Sequence, residues 1–105
     1  MRYVQSAEVT TPARDGLRRQ RPMSYGLDYQ PAAKADLADA WLHAADRRAV
    51  TRASYLIDQL LATVPDQVGI PHGVFRRLQI SPLEVTYCVD PQAQEVRVFR
   101  VDLLP

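Results

Sequence analysis

Between Pro31 and Val64 the apolar residues recur at helical spacing twice, with only a short break around Asp46. Two helices joined this tightly must fold back on each other as an antiparallel hairpin, and the hairpin's apolar side then needs a surface to cover. The first helix opens at Gln30-Pro31, where proline suits the first turn because its missing N–H is not needed. Ala33, Leu37, Ala40, Trp41 and Ala44 make its stripe, with Lys34, Asp36, Asp39 and His43 off it. Asp46 is suited to cap a second helix that runs to about Val64 and stops at Pro65-Asp66. Its stripe reads Ala49, Ala53, Leu56, Ile57, Leu60 and Val64, and Arg48, Arg52, Tyr55 and Gln59 form the opposite face.

The covering surface is β. Ser24 to Tyr29 alternates Tyr25, Leu27 and Tyr29 on one side, the period-two pattern of a short strand. Val74 to Ile80, Leu83 to Val89 and Glu95 to Val101 are strand-length runs rich in β-branched or aromatic residues. Ser81-Pro82 and Asp90-Pro91-Gln92-Ala93 turn the chain between them. The expected class is α+β in the order β-α-α-β-β-β: a small antiparallel sheet, its first strand closing an edge, with the helix hairpin on one face. Trp41 and Tyr87 both fall on apolar faces and are expected in the core.

At 105 residues the chain has room for one core, and 47% apolar with 24% charged residues places it among ordinary globular proteins. A net charge of +1 excludes attachment to nucleic acid by bulk charge, yet twelve of the thirteen cations are Arg, whose planar fork suits a few placed contacts. One cysteine and two histidines make neither an internal disulfide nor a zinc spacing, so no metal or cofactor is expected. No apolar run approaches the roughly 18 residues of a membrane span, and a cytoplasmic protein is expected.

Residues 1–23 carry five Arg, two acids and two Pro without any burial pattern, and are expected to be a disordered basic tail ahead of a domain at 24–105. Two other readings compete: a basic arm for nucleic acid, and a start at Met23, with Arg18-Arg19 encoding a purine-rich ribosome-binding site. If the tail does not pack, a chain beginning at Met23 keeps the thermal midpoint of the full chain. A fall of more than a few degrees in a melting curve would place the tail on the domain.

The glycines match no phosphate-binding loop. Cys88 has no histidine near it in sequence, and His43, four residues after Asp39, reads as a surface helix pair. His72, in the loop before the second strand, is the one placed to serve as a base. The arginines are the richer set. Arg76 and Arg77 should point to opposite faces of their strand, and Arg97 and Arg100 likewise, so the open face should carry one of each pair beside Glu84 and Thr86. Such a face fits phosphate recognition. It also fits a plain Arg–Glu lattice across a solvated sheet.

The run YQPAAKADLADAW, the helix ending IDQLLATVP, then FRRLQISPLEVTYCVD and EVRVFRV resemble the RelE/ParE superfamily of bacterial toxins over residues 24–104. The shared pieces are the helix start at Pro31, Ala33, Asp36 and Leu37, the helix hairpin, an Arg-Leu strand and a Tyr-bearing middle strand. The resemblance implies the toxin of a type II toxin–antitoxin pair, associated with growth inhibition and plasmid stabilisation, and neutralised by an antitoxin wrapped on helices and sheet. It leaves two targets open: ribosome-bound mRNA, which RelE-like members cut, or DNA gyrase, which ParE-like members poison. Arg48 and Arg52 are expected to face a mostly acidic antitoxin, and Arg76, Arg77, Arg97 and Arg100 to be the target or phosphate contacts.

The nuclease pattern is broken. Where RelE-like toxins carry an Arg in the middle strand this chain has Glu84, and where they place an Arg followed by His or Tyr it reads Asp102-Leu103-Leu104-Pro105. Metal-free RNA cleavage needs a base at the 2′-hydroxyl and a cation at the phosphate. His72 or Glu84 would have to substitute. The competing expectation is a catalytically inactive module that only binds its antitoxin.

Overall fold

The computed structural model describes residues 24–105, so the expectations for the tail lie outside the described residues. The chain runs β1 (Gly26–Tyr29), α1 (Pro31–His43), α2 (Arg47–Thr63), β2 (Ile70–His72), β3 (Phe75–Ile80), β4 (Leu83–Asp90) and β5 (Glu95–Leu103). The sheet order is β1-β5-β4-β3-β2, and the helices pack on one face. β1 closes an edge by pairing parallel to β5, so the sheet is mixed, where an antiparallel one was expected. The helix hairpin causes this: its two antiparallel helices return the chain to the sheet end where β1 began.

Pro31 stands at the start of α1, and Asp46 caps α2 by accepting a hydrogen bond from the Ala49 N–H at 3.2 Å. Arg47 closes the hairpin turn: its guanidinium donates to the carbonyls of Trp41 and Leu42, and lies 4.7 Å from the Trp41 ring. The core unites Ala33 and Ala40 of α1, Val50, Ala53, Ile57 and Leu61 of α2, and Leu78, Leu83, Val85, Tyr87, Val96, Val98 and Val101 of the sheet.

Two packing expectations need correction. α2 buries Val50 and Leu61 and leaves Leu56 exposed, because its buried face is rotated toward α1 relative to the stripe expected from sequence. Trp41 is also exposed; it sits at the rim between the helices, stacked on Arg47, instead of under them.

β2 was not expected. It forms a hairpin with β3 around Gly73-Val74, with Gly73 at φ +64° supplying the first central residue of a two-residue turn. His72 and Phe75 close that turn, so the backbone of Pro71, one residue earlier, faces away from β3. The loop before β2 turns at Gly69, φ +72°, where a Cβ would stand 2.7 Å from the Arg77 carbonyl oxygen. Only glycine fits that turn.

Candidate functional site

The face of the sheet away from the helices carries the arginines. Arg77 pairs with Thr86, Arg97 with Cys88 and Arg100 with Thr86, which puts all three on that face. A regular strand would have sent Arg97 and Arg100 to opposite sides. A bulge prevents it: Tyr87 pairs with Val98 and Thr86 with Arg100, so Phe99 is an extra residue on β5. Phe99 then meets Phe75 edge to face, ring centroids 5.3 Å apart.

Most of the positive charge on this face is answered locally. Arg97 lies 2.9 Å from Glu95 and 4.0 Å from Asp90, and Arg100 lies 3.1 Å from Asp102. Glu84 accepts a hydrogen bond from Gln79 at 2.9 Å. Arg77 makes no ion pair among the described residues and lines a cavity of about 410 Å³ with His72 and Glu84. Residues 24–105 hold eight Lys and Arg against ten Asp and Glu, the reverse of a surface that neutralises a phosphate backbone.

Arg76 is on the other side. Its guanidinium donates to the carbonyls of Val68 and Gly69, and it neighbours the buried Tyr87 hydroxyl, which donates to the carbonyls of Pro65 and Val68 at 2.8 and 3.0 Å. Burial raises the Tyr87 phenol above its ordinary pKa, with nearby Arg76 partly opposing that rise. Together the two side chains pin the segment between α2 and β2 to the sheet. His43 is exposed beside Asp39, His72 is exposed on β2, and Cys88 is a half-buried free thiol opposite Arg97. Among the described residues no group of His, Cys, Asp and Glu is arranged to hold a metal, and no helix is long and apolar enough to cross a membrane.

A larger concavity lies on the helix side and was not legible from the stripes. A groove of about 880 Å³ runs between α1 and α2, with Trp41, Leu42 and Tyr55 exposed in it and Tyr29 and Asp58 toward its far end. Tyr29 donates a 2.6 Å hydrogen bond to Asp58, and burial together with that bond holds the Tyr29 phenol well above the usual range. Arg48 and Arg52 are exposed on α2 beside a smaller cavity of about 350 Å³ on another side of Trp41. The helix arginines and the sheet arginines therefore do not form one site.

No protein-family model and no curated protein matches the sequence. Solved structures do. A chain of the toxin–antitoxin complex RelBE2 from Mycobacterium tuberculosis superposes with a TM-score of 0.63 at 15% identity, over 81% of this chain and 97% of that one. A chain of the chromosomal ParDE system from P. aeruginosa gives 0.57 at 21% identity, over 80% and 100%. Part of TrmO from P. aeruginosa gives 0.54 at 21% identity, covering 87% of this chain and 39% of that longer one. The likeness is one of fold, and it agrees with the resemblance in the sequence: residues 24–105 have a RelE/ParE-like fold.

Proposed function

We propose that this chain is the toxin of a bacterial type II toxin–antitoxin module, silenced by a cognate antitoxin and, when released, inhibiting growth through translation or DNA gyrase. The observation that carries the reading is the extent of the likeness: the fold matches nearly the full length of chains from two toxin–antitoxin systems. An exposed apolar groove on the helix hairpin supports it, since apolar surface of that kind marks a place where another protein sits.

Growth inhibition is proposed to act through the open sheet face, with Arg77 as its most available cation and Arg97 and Arg100 released from their carboxylates on binding. Nuclease chemistry draws little support. Glu84 occupies the middle strand, Asp102 is tied to Arg100, and His72 is the only histidine on the β2–β3 side of the sheet. The second reading, a catalytically inactive module that binds an antitoxin, is favoured by the same local pairing of Arg97 and Arg100.

Controlled expression in a bacterial host, with and without the adjacent open reading frame, tests the proposal. Growth arrest that the neighbouring gene relieves is expected. No arrest, with complex formation intact, would leave the inactive binding module in its place. Changing Arg48 and Arg52 to Glu should weaken an acidic antitoxin by about tenfold or more at low salt, read by calorimetry. Unchanged affinity would move the antitoxin's charged contacts elsewhere.

A further inference from the structure

We propose that the groove between α1 and α2 takes an amphipathic helix of the partner protein, and that this helix presents a Lys or Arg to Asp58. The inference rests on the reading that a partner protein covers this chain, and it concerns what that partner must carry. The two ends of the groove differ. Near the hairpin turn it is apolar, with Trp41 42%, Leu42 58% and Tyr55 64% exposed, too much apolar surface to leave in water without use.

At the other end stands a carboxylate. Tyr29 fixes Asp58 through its Oδ1, and Asp58 forms no ion pair among the described residues. Lys34 lines the same end without reaching it, and its ammonium can stay in water at the rim. Any segment that covers the groove strips water from Asp58. An apolar cover leaves a buried charge without a partner, and an acidic one adds repulsion; a cation offsets both.

The walls also set the spacing. The hairpin is antiparallel: Trp41 and Thr51 line the same two cavities, and Asp58 lies seven residues beyond Thr51 on α2. That is about 10 Å, two helical turns. A helix lying along the groove therefore meets it with an apolar anchor at one position and its cation about seven residues away, the pattern by which helices are read in grooves. An antitoxin that is acidic overall would still carry a basic residue here.

A displayed library of helical peptides, selected on the folded full chain, tests this directly. Trp41 is the only tryptophan in the chain, so its emission reports occupancy of the groove when the peptides carry none. The expected winners combine an apolar anchor with Arg or Lys about seven residues away, shift Trp41 emission, gain helical circular dichroism on binding, and lose at least tenfold in affinity when that cation becomes Glu. Selection on Asp58→Lys, with its melting point checked, should move the preference to Asp or Glu at the same place; Asp58→Asn should remove it. Winners without a positional charge, a preference unaltered in both variants, or peptides that bind without helix or without touching Trp41 would each overturn the inference. Relief of growth arrest by the neighbouring gene is a separate readout. Relief without charge preference refutes the Asp58 contact alone, and absence of arrest refutes the toxin reading alone.

Discussion

Tyr87→Ala should unfold most of the molecule at moderate temperature. The side chain is fully buried at the centre of the sheet, and its hydroxyl satisfies the carbonyls of Pro65 and Val68. Truncating a buried aromatic costs about 3–5 kcal/mol, and the Pro65 carbonyl losing its donor adds to that, while the Val68 carbonyl keeps Arg76. Against a typical total of about 5–15 kcal/mol, this takes most of the margin of a small domain. Tyr87→Phe isolates the polar part: it keeps the ring and should cost about 1–3 kcal/mol, measured by urea denaturation. A Phe variant as stable as the parent would show that Arg76 alone holds the segment between α2 and β2.

The two raised phenols, Tyr29 and Tyr87, add a pH dependence of known sign. The folded state keeps both protons where the unfolded chain sheds them, so this stability is full below about pH 10 and falls as pH climbs past it.

The second large effect concerns activity. Arg77→Ala with Arg100→Ala should abolish growth inhibition while leaving the melting temperature within a few degrees. Both residues are exposed, and the Arg100–Asp102 pair is solvated enough to contribute little to stability. His72→Ala and Cys88→Ser should leave inhibition near the parent level, because among the described residues neither side chain is hydrogen-bonded or ion-paired to a group that would make it a base or nucleophile. Loss of inhibition in the His72 variant alone, with folding and antitoxin binding preserved, would restore acid–base catalysis as the mechanism. Full inhibition by the double arginine variant would exclude the sheet face as the surface that inhibits growth.

The parts of this fold that were legible in the sequence are those where a local pattern and its tertiary partner agree. Pro31 and Asp46 place the helix starts because each acts on its own backbone, and the middle strand alternates because one of its faces is buried from Leu83 to Tyr87. What escaped depends on partners distant in the chain. Ile70-Pro71-His72 is too short, and too unlike a strand, to signal pairing; β3 makes it one. The bulge at Phe99 is invisible in EVRVFRV, because it arises from how β5 matches β4, and it brings Arg100 round to the face of Arg97. Trp41 follows the helical period, and only the position of α2 decides that it borders a groove. That Arg77, Arg97 and Arg100 lie on strands could thus be read from sequence, but their common face could not.

Pro71 has a consequence for how copies of this chain can meet. At the β2 edge the outward-facing residue has no N–H to offer, so a foreign strand finds no donor there. At the opposite edge Gly26 and Gln30 donate inward to β5, which leaves Leu27 and Tyr29 with their backbone groups turned outward. Among the described residues, β1 is therefore an edge that can take an added strand and β2 is not. Two molecules that joined by strand addition would use the same edge twice, in a closed two-fold pair with a blunt strand at each end. A head-to-tail fibre joining β1 of one molecule to β2 of the next would need the donor that Pro71 lacks.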